Sequence, residues 1–136
     1  MTKHHTKVVV DTNIWISYML GGLAYKQLQA ILLSQKIILL ISEKQKEEII
    51  RIVRSSKFSN LFSAQQIDDL IYILNYRTRL IQVISQVRIC RDKNDDFLFS
   101  LCKDGNADFL ISGDADVLEI TNFKSTQVVA LKNFKL

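Results

Sequence analysis

Apolar residues along the chain form two kinds of pattern. Short uninterrupted runs occupy residues 8–10, 37–41, 109–111 and 128–131, and a weaker run lies between Leu80 and Cys90. Runs without alternation are typical of strands covered on both faces, as in a parallel sheet. Helical spacing fills the intervals, for example over 23–34 and at positions 67, 70, 71 and 74. The order predicts a three-layer α/β/α fold with right-handed crossovers.

Length and composition limit the number of domains and the environment. A chain of 136 residues, 48% hydrophobic and 24% charged, fits one folded domain over 1–136 and excludes a disordered chain. No apolar run approaches the roughly 18 residues of a membrane span, and no signal-peptide pattern is visible. We therefore expect a cytoplasmic protein without membrane contact.

Charge is distributed unevenly. The chain carries a net charge of +4, yet residues 92–119 contain eight acids against Lys93 and Lys103. Those acids are Asp92, Asp95, Asp96, Asp104, Asp108, Asp114, Asp116 and Glu119. A basic body around an acidic pocket suits an anionic polymer with cations in the pocket, although excess lysine is also common on proteins with no such partner.

Two acids follow predicted strands. Asp11 ends the first strand, and Asp114 follows the run 109–111 through Ser112 and Gly113. Carboxyl ends of parallel strands share one edge of a sheet, so these acids should meet there. The alternative for Asp11 is a helix N-cap, and Asn13 could share that capping role or bind a metal-bound water.

A third acid comes from the helix after the second strand. Residues 42–45 match a capping box, which predicts Ser42 as N-cap. Glu48 then flanks the apolar stripe, whereas Glu47 points almost opposite. A solvated helix face is the alternative for Glu48, and also for the nearby basic residues that could contact phosphates, namely Lys44, Lys46, Arg51 and Arg54.

The fourth group lies at 92–96, before a predicted helix over 97–102. Acids in a first helical turn interact favourably with the helix dipole, and this alternative accounts for one or two of the acids at 92–96. It also holds for Asp116. Gathered carboxylates repel unless a cation neutralises them, and oxygen ligands select Mg²⁺ or Mn²⁺. Such a site suits phosphodiester hydrolysis by a metal-activated water.

Four segments together resemble the PIN-domain family, most closely its VapC-like toxin components of toxin-antitoxin systems. They are VVVDTN at 8–13, Ile41-Ser42 with an acid six residues after the serine, RDKNDDF at 91–97 and ADFLISGDADVL at 107–118. The resemblance runs from about Lys7 to Leu131. It implies five parallel strands in the order 3-2-1-4-5, frequent homodimerisation, an RNA substrate and a small antitoxin partner.

The resemblance also implies roles for individual residues. The metal-binding catalytic acids would be Asp11, Glu48, Asp96 and Asp114, with Ser112 and Asp116 as accessories; Asn13 is a further accessory candidate. The interval between the third and fourth catalytic acids selects Asp96 over its neighbours. Whether Asp95 or Asp92 shares the role of Asp96 stays open. Two departures from the family pattern are Lys93, where proline is frequent, and Asn94, where Asp is frequent.

These observations predict a Mg²⁺- or Mn²⁺-dependent endoribonuclease of a toxin-antitoxin system. One alternative is a non-catalytic RNA-binding or regulatory module with the same fold. Another is a phosphate-handling receiver-like domain, for which Lys132 would be the lysine beside the pocket. A haloacid-dehalogenase-type phosphatase needs an acid at position 13, where Asn13 stands.

Overall fold

A six-stranded sheet forms the centre of the computed structural model, which describes residues 5–135; residues 1–4 and 136 of the predicted domain lie outside that part. The strands are β1 Thr6–Val10, β2 Ile37–Ile41, β3 Arg79–Leu80, β4 Phe109–Ile111, β5 Asn122–Phe123 and β6 Thr126–Val129. Their spatial order is β3-β2-β1-β4-β6-β5. All pairings are parallel except that between β5 and β6.

Helices connect the strands on both faces of the sheet. They are α1 Thr12–Leu20, α2 Gly22–Leu33, α3 Glu43–Val53, α4 Ala64–Tyr76, α5 Asp96–Gly105 and α6 Ala115–Leu118. Two 3-10 turns cover Lys93–Asp95 and Leu131–Asn133. Not one of these helices has the length and apolar character needed to cross a membrane.

Side chains of β1 alternate between two apolar cores. Val8 and Val10 belong to a cluster with residues of α1 to α4, whereas Val9 belongs to a cluster with residues of α5 and α6. Both faces of the central strands are therefore buried, which is why β1, β2 and β4 read as uninterrupted apolar runs. The predicted three-layer α/β/α architecture is confirmed.

The strand count differs from the expected five. The order 3-2-1-4 is confirmed, and β6 takes the fifth parallel position, beginning two residues before the predicted run. The sixth strand, β5, pairs antiparallel with β6 across a turn in which Lys124 has φ 51°. A strand of two residues has no periodicity that a sequence pattern could reveal.

The strand expected between Leu80 and Cys90 is confined to Arg79–Leu80. Residues 81–90, here called the tethered segment, leave the sheet after Ile81, whose amide donates to the Ile41 carbonyl at 2.8 Å. Its amides bond to three α5 side chains one helical turn apart: Asp104 accepts from Ile84 and Ser85, Ser100 from Val87, and Asp96 from Ile89 and Cys90. This ladder of acceptors, rather than β2, therefore holds the segment.

Candidate active site

Asp11 is the most enclosed of the predicted catalytic acids, with 4% of its surface exposed. It continues β1, where its amide donates to the Ile111 carbonyl at 2.8 Å, and it caps α1, where its Oδ1 accepts from the Asn13 amide at 3.3 Å. The capping alternative and the site interpretation are thus compatible. The cap fixes the carboxylate at the sheet edge where β1 and β4 end.

Ser112 links the two acids that follow these strands. Its hydroxyl is fully buried, donates to Asp11 Oδ2 at 2.6 Å and accepts from the Asp114 amide at 3.0 Å. Asp114 in turn caps α6, since its Oδ1 accepts from the Asp116 amide at 2.8 Å. One hydroxyl therefore sets the position of Asp11 relative to Asp114.

Glu48 approaches the same edge from α3. The Ser42 hydroxyl accepts from the Gln45 amide at 3.1 Å, which places the N-cap as predicted and fixes the helix register. Glu48 is half-buried and Glu47 exposed. The charge of Glu48 contributes to the raised pKa of Asp11, so the two carboxylates are close enough to repel.

In a capping box the Gln45 side chain would bond back to the Ser42 amide. In the structure it makes a longer-range contact instead. Its Nε2 donates to the Val10 carbonyl at 2.6 Å, and the side chain is fully buried. Residue 10 directly precedes Asp11, so this bond ties α3 to the end of β1. One feature of the sequence could have indicated that Gln45 is buried. It begins the stripe Gln45, Ile49, Val53, whose spacing of four marks the buried face of α3.

The two aspartates at the start of α5 point to different surroundings. Asp96 Oδ1 accepts from the amides of Ile89 and Cys90 at 3.1 and 2.8 Å. Although slight burial opposes it, these bonds hold the pKa of Asp96 below its ordinary value. The side chain is therefore committed to the tethered segment.

Asp95, by contrast, lies among the other acids. Burial and then the charges of Asp114 and Asp11 raise the pKa of Asp95 to about 6. Its Oδ2 is buried and has no hydrogen-bond partner among the described residues. Asp95 therefore lies close enough to Asp11 and Asp114 for their charges to repel, as Asp11 and Glu48 also do, and the predicted role of Asp96 stays untested.

Burial is also the main reason that the pKa of Asp11 is raised, with Asp114 and Glu48 adding to the rise and the bonds from Ser112 and Asn13 opposing it. Within residues 5–135 the ion pairs are Lys46 with Glu43 and Arg91 with Asp116 and Glu119. Within the described residues, therefore, no ion pair offsets the repulsion inside the acid cluster of Asp11, Glu48, Asp95 and Asp114.

This donor set fits a divalent cation by its chemistry. All four donors are carboxylates, one oxygen of Asp95 is buried without a partner, and hard cations such as Mg²⁺ and Mn²⁺ prefer oxygen ligands. In residues 5–135 no group of three or more acidic, imidazole or thiol side chains is placed so that these residues alone could hold a metal ion. Waters would therefore complete the coordination, as is usual for Mg²⁺.

The accessory candidates lie on the rim. Asn13 is exposed and contributes its backbone amide to the Asp11 cap. Asp116 is half-buried, and its carboxylate stands 4.0 Å from Arg91 Nη1. Its charge also contributes to the raised pKa of Asp95. Asp92 is exposed and caps the 3-10 turn by accepting from the Asn94 amide at 3.0 Å.

The basic residues of α3 fall on two sides of the helix. Lys44 and Arg51 are exposed and lie at spacings of four and three from Glu48, hence on the same face. Lys46 instead donates to Asn75 Oδ1 of α4 at 3.0 Å, and Arg54 lies beyond the end of α3. The Lys44 ammonium also lies 5.2 Å from the ring centre of Phe97. Only Lys44 and Arg51 thus share the face of Glu48.

An open α/β sheet with acids at the carboxyl ends of adjacent parallel strands is one of the general ligand-binding architectures. A family model described as PIN domain matches residues 7–116. The chain belongs to the PIN domain family.

Solved structures show the same fold at low sequence identity. VapBC2 from Rickettsia felis, bound to a DNA fragment from its promoter, is similar with a TM-score of 0.60 and 15% identity, over 90% of this chain and 97% of that one. FitAcB from Neisseria gonorrhoeae gives a TM-score of 0.53 and 14% identity, over 93% and 99% of the two chains. No curated protein matches the sequence.

Proposed function

We propose that the chain is a Mg²⁺- or Mn²⁺-dependent endoribonuclease, the toxin of a toxin-antitoxin system. The observation that carries this proposal is the acid cluster: burial, and then repulsion between the carboxylates, raises the pKa of Asp11 and Asp95, and no ion pair within the described residues offsets that repulsion. PIN domains are generally nucleases, and the fold is also that of VapBC2. A receiver-like domain is not favoured, because the chain is a PIN domain and Lys132 is exposed in a 3-10 turn.

In this proposal Asp11, Glu48, Asp95 and Asp114 hold the cation. When bound, it supplies a lowered pKa for water and charge stabilisation at the phosphoryl oxygens. In this proposal Asp95 takes the metal-binding role that the family resemblance assigned to Asp96. The reason is that the Asp96 carboxylate already accepts two backbone amides, whereas Asp95 faces Asp11 and Asp114.

The protein groups have separate tasks. The Ser112 hydroxyl and the Asn13 amide hold the two oxygens of Asp11 in a fixed orientation before substrate arrives. Glu48 has no hydrogen bond or ion pair within the described residues, so its carboxylate can orient a water toward the phosphate. Lys44 and Arg51, on the same face of α3, would contact phosphates beside the cleaved bond.

RNA cleavage with Mg²⁺, Mn²⁺ or EDTA tests the proposal, using Asp11→Asn and Asp95→Asn with Asp96→Asn as the neighbouring control. The first two should lower the cleavage rate at least about 100-fold, since even outer partners of metal ligands cost 10- to 100-fold. Folded Asp96→Asn should keep most of its activity. Cleavage in EDTA, or native rates in both Asp11→Asn and Asp95→Asn, would refute the mechanism. Metal-independent RNA binding without cleavage would support the non-catalytic alternative.

The proposal includes a small antitoxin and a homodimer as partners in the cytoplasm. Exposed apolar side chains on α1, α2 and α4 supply apolar surface that a protein partner would cover. These are Leu20, Leu23, Tyr25, Leu33, Tyr72 and Tyr76. Co-purification with the product of an adjacent small gene and inhibition of cleavage by it would test the antitoxin. Sedimentation of the isolated chain would test the dimer.

A further inference from the structure

Arg91 links two segments that each carry an acid of the cluster. It comes directly before the N-cap of the 3-10 turn that ends at Asp95, and its guanidinium reaches α6, the helix that Asp114 caps. Nη2 donates to both carboxylate oxygens of Glu119, at 3.0 and 2.9 Å. Nη1 stands 4.0 Å from the Asp116 carboxylate. One side chain therefore spans the gap between the turn and α6.

The polar connection between these two segments depends on this one side chain. Among the hydrogen bonds and ion pairs of residues 5–135, those that join residues 91–96 to residues 114–119 all come from Arg91. The turn otherwise bonds within itself, since Asp92 accepts from the amides of Asn94 and Asp95. Loss of Arg91 would therefore remove the hydrogen bonds that tie the turn to α6.

Repulsion acts between the same two segments. After burial, the charge of Asp114 is the largest contribution to the raised pKa of Asp95, and Asp116 adds to it. Lys93, on the turn itself, is exposed and has no ion pair within residues 5–135. Arg91 is therefore the cation whose contacts oppose the separation of the turn from α6.

We propose that Arg91 is a positioning residue for the cation: through Glu119 it holds the turn with Asp95 at the distance from Asp114 at which both carboxylates reach one divalent ion. Arg91 itself contacts neither the cation nor the substrate in this role. The inference rests on the proposed function, because that function makes Asp95 and Asp114 ligands of the same cation. A guanidinium suits the task, since it is always charged and presents several donors in a planar fork.

The positioning role and a simple effect of charge predict opposite changes in metal affinity. Arg91→Gln removes a positive charge near a cation site, and this loss by itself strengthens Mn²⁺ binding. A turn that is no longer held weakens Mn²⁺ binding. Lys93→Gln is the matched control, because it removes the same charge from an exposed residue of the turn that makes no ion pair in the described part of the chain.

Electron paramagnetic resonance of free Mn²⁺ measures the affinity, and circular dichroism checks that each variant folds. Arg91→Gln should raise the Kd about fivefold, less than the usual 10- to 100-fold for outer partners of metal ligands, because the ion pair with Glu119 is exposed to solvent. Lys93→Gln should leave the Kd unchanged or lower it. Arg91→Lys, which keeps the charge, should recover part of the affinity. Glu119→Gln should weaken binding in the native background and much less in Arg91→Gln, where the bond is already lost.

Hydrogen exchange in EDTA tests the link without metal. The Asp95 amide donates to the Asp92 carbonyl at 3.1 Å, and its exchange should become faster in Arg91→Gln but not in Lys93→Gln.

The two measurements distinguish this inference from the proposed function. If the native protein binds Mn²⁺ and cleaves RNA, while Arg91→Gln binds Mn²⁺ as tightly as Lys93→Gln, the role of Arg91 is wrong and the nuclease stands. If the native protein binds no Mn²⁺ and cleaves no RNA, the proposed function is wrong. Faster exchange in Arg91→Gln then supports the positioning of the turn by Arg91, and native exchange overturns it.

Discussion

Asp95 and Asp96 are adjacent, yet their replacement by Asn should change stability in opposite directions. Asp95 has a pKa of about 6 in the folded protein against an ordinary value of 3.8. Ionised Asp95 therefore opposes folding above pH 6, and this penalty disappears as the pH falls to about 4. The full shift would correspond to about 3 kcal/mol, which solvent screening of this half-exposed side chain reduces to about 1 kcal/mol.

Asp95→Asn should accordingly raise the free energy of unfolding by about 1 kcal/mol and the Tm by about 3 °C at pH 8 in EDTA. The Asp95 side chain makes no N-cap hydrogen bond to α5, so its replacement costs no cap. Mn²⁺ should stabilise the native protein more than the variant, because the variant lacks one ligand. Urea unfolding at pH 8 and pH 4.5, with and without Mn²⁺, measures each quantity.

The neighbouring variant is the control. Asp96→Asn weakens two bonds to the tethered segment and should cost about 1 kcal/mol at pH 8. Because the pKa of Asp96 is lowered in the folded protein, that cost should shrink as the pH falls through it. A lower stability of Asp95→Asn at pH 8, or a gain that persists unchanged at pH 4.5, would refute the electrostatic account of the acid cluster.

Three further predictions concern the groups that position the site. Gln45→Leu removes a buried bond to the end of β1 and should cost about 2 kcal/mol in urea unfolding; a cost below about 0.5 kcal/mol would show that the bond is unimportant. Ser112→Ala removes a buried bond to Asp11 and should cost about 1–3 kcal/mol and lower cleavage, whereas native stability and activity would contradict its linking role. Asp104→Asn should speed hydrogen exchange at the amide of Ser85, measured by mass spectrometry; unchanged exchange there would contradict the ladder.

The central strands could be predicted because strands that are buried on both faces have uninterrupted apolar sequences. β1, β2 and β4 are such runs, and the N-cap at Ser42 follows from local side-chain chemistry. β3 and β5 have two residues each, too few for a pattern. The tethered segment could not be foreseen, since its partners on α5 lie up to 20 residues further along the chain.

The acids at strand ends could be located for the same reason, because a strand end is visible and parallel strands end together. The choice between Asp95 and Asp96 could not be made, since neighbouring helix residues differ by about 100° in direction and the amides that capture Asp96 come from Ile89 and Cys90. Gln45 shows the same limit: its local pattern predicts a capping box, and its partner is 35 residues away.

The tethered segment is attached to α5 through its backbone amides, so the identity of its outward side chains is not needed to hold it. The exposed positions Gln82, Ile84, Gln86 and Arg88 alternate with half-buried ones, and Ile84 is 81% exposed. Substitutions at these four positions can accumulate while the acid cluster and the sheet stay unchanged. The architecture therefore separates the part of the chain that must be kept from a short stretch in which variants can be diversified, and a library randomised at these positions is a direct way to alter what the surface recognises.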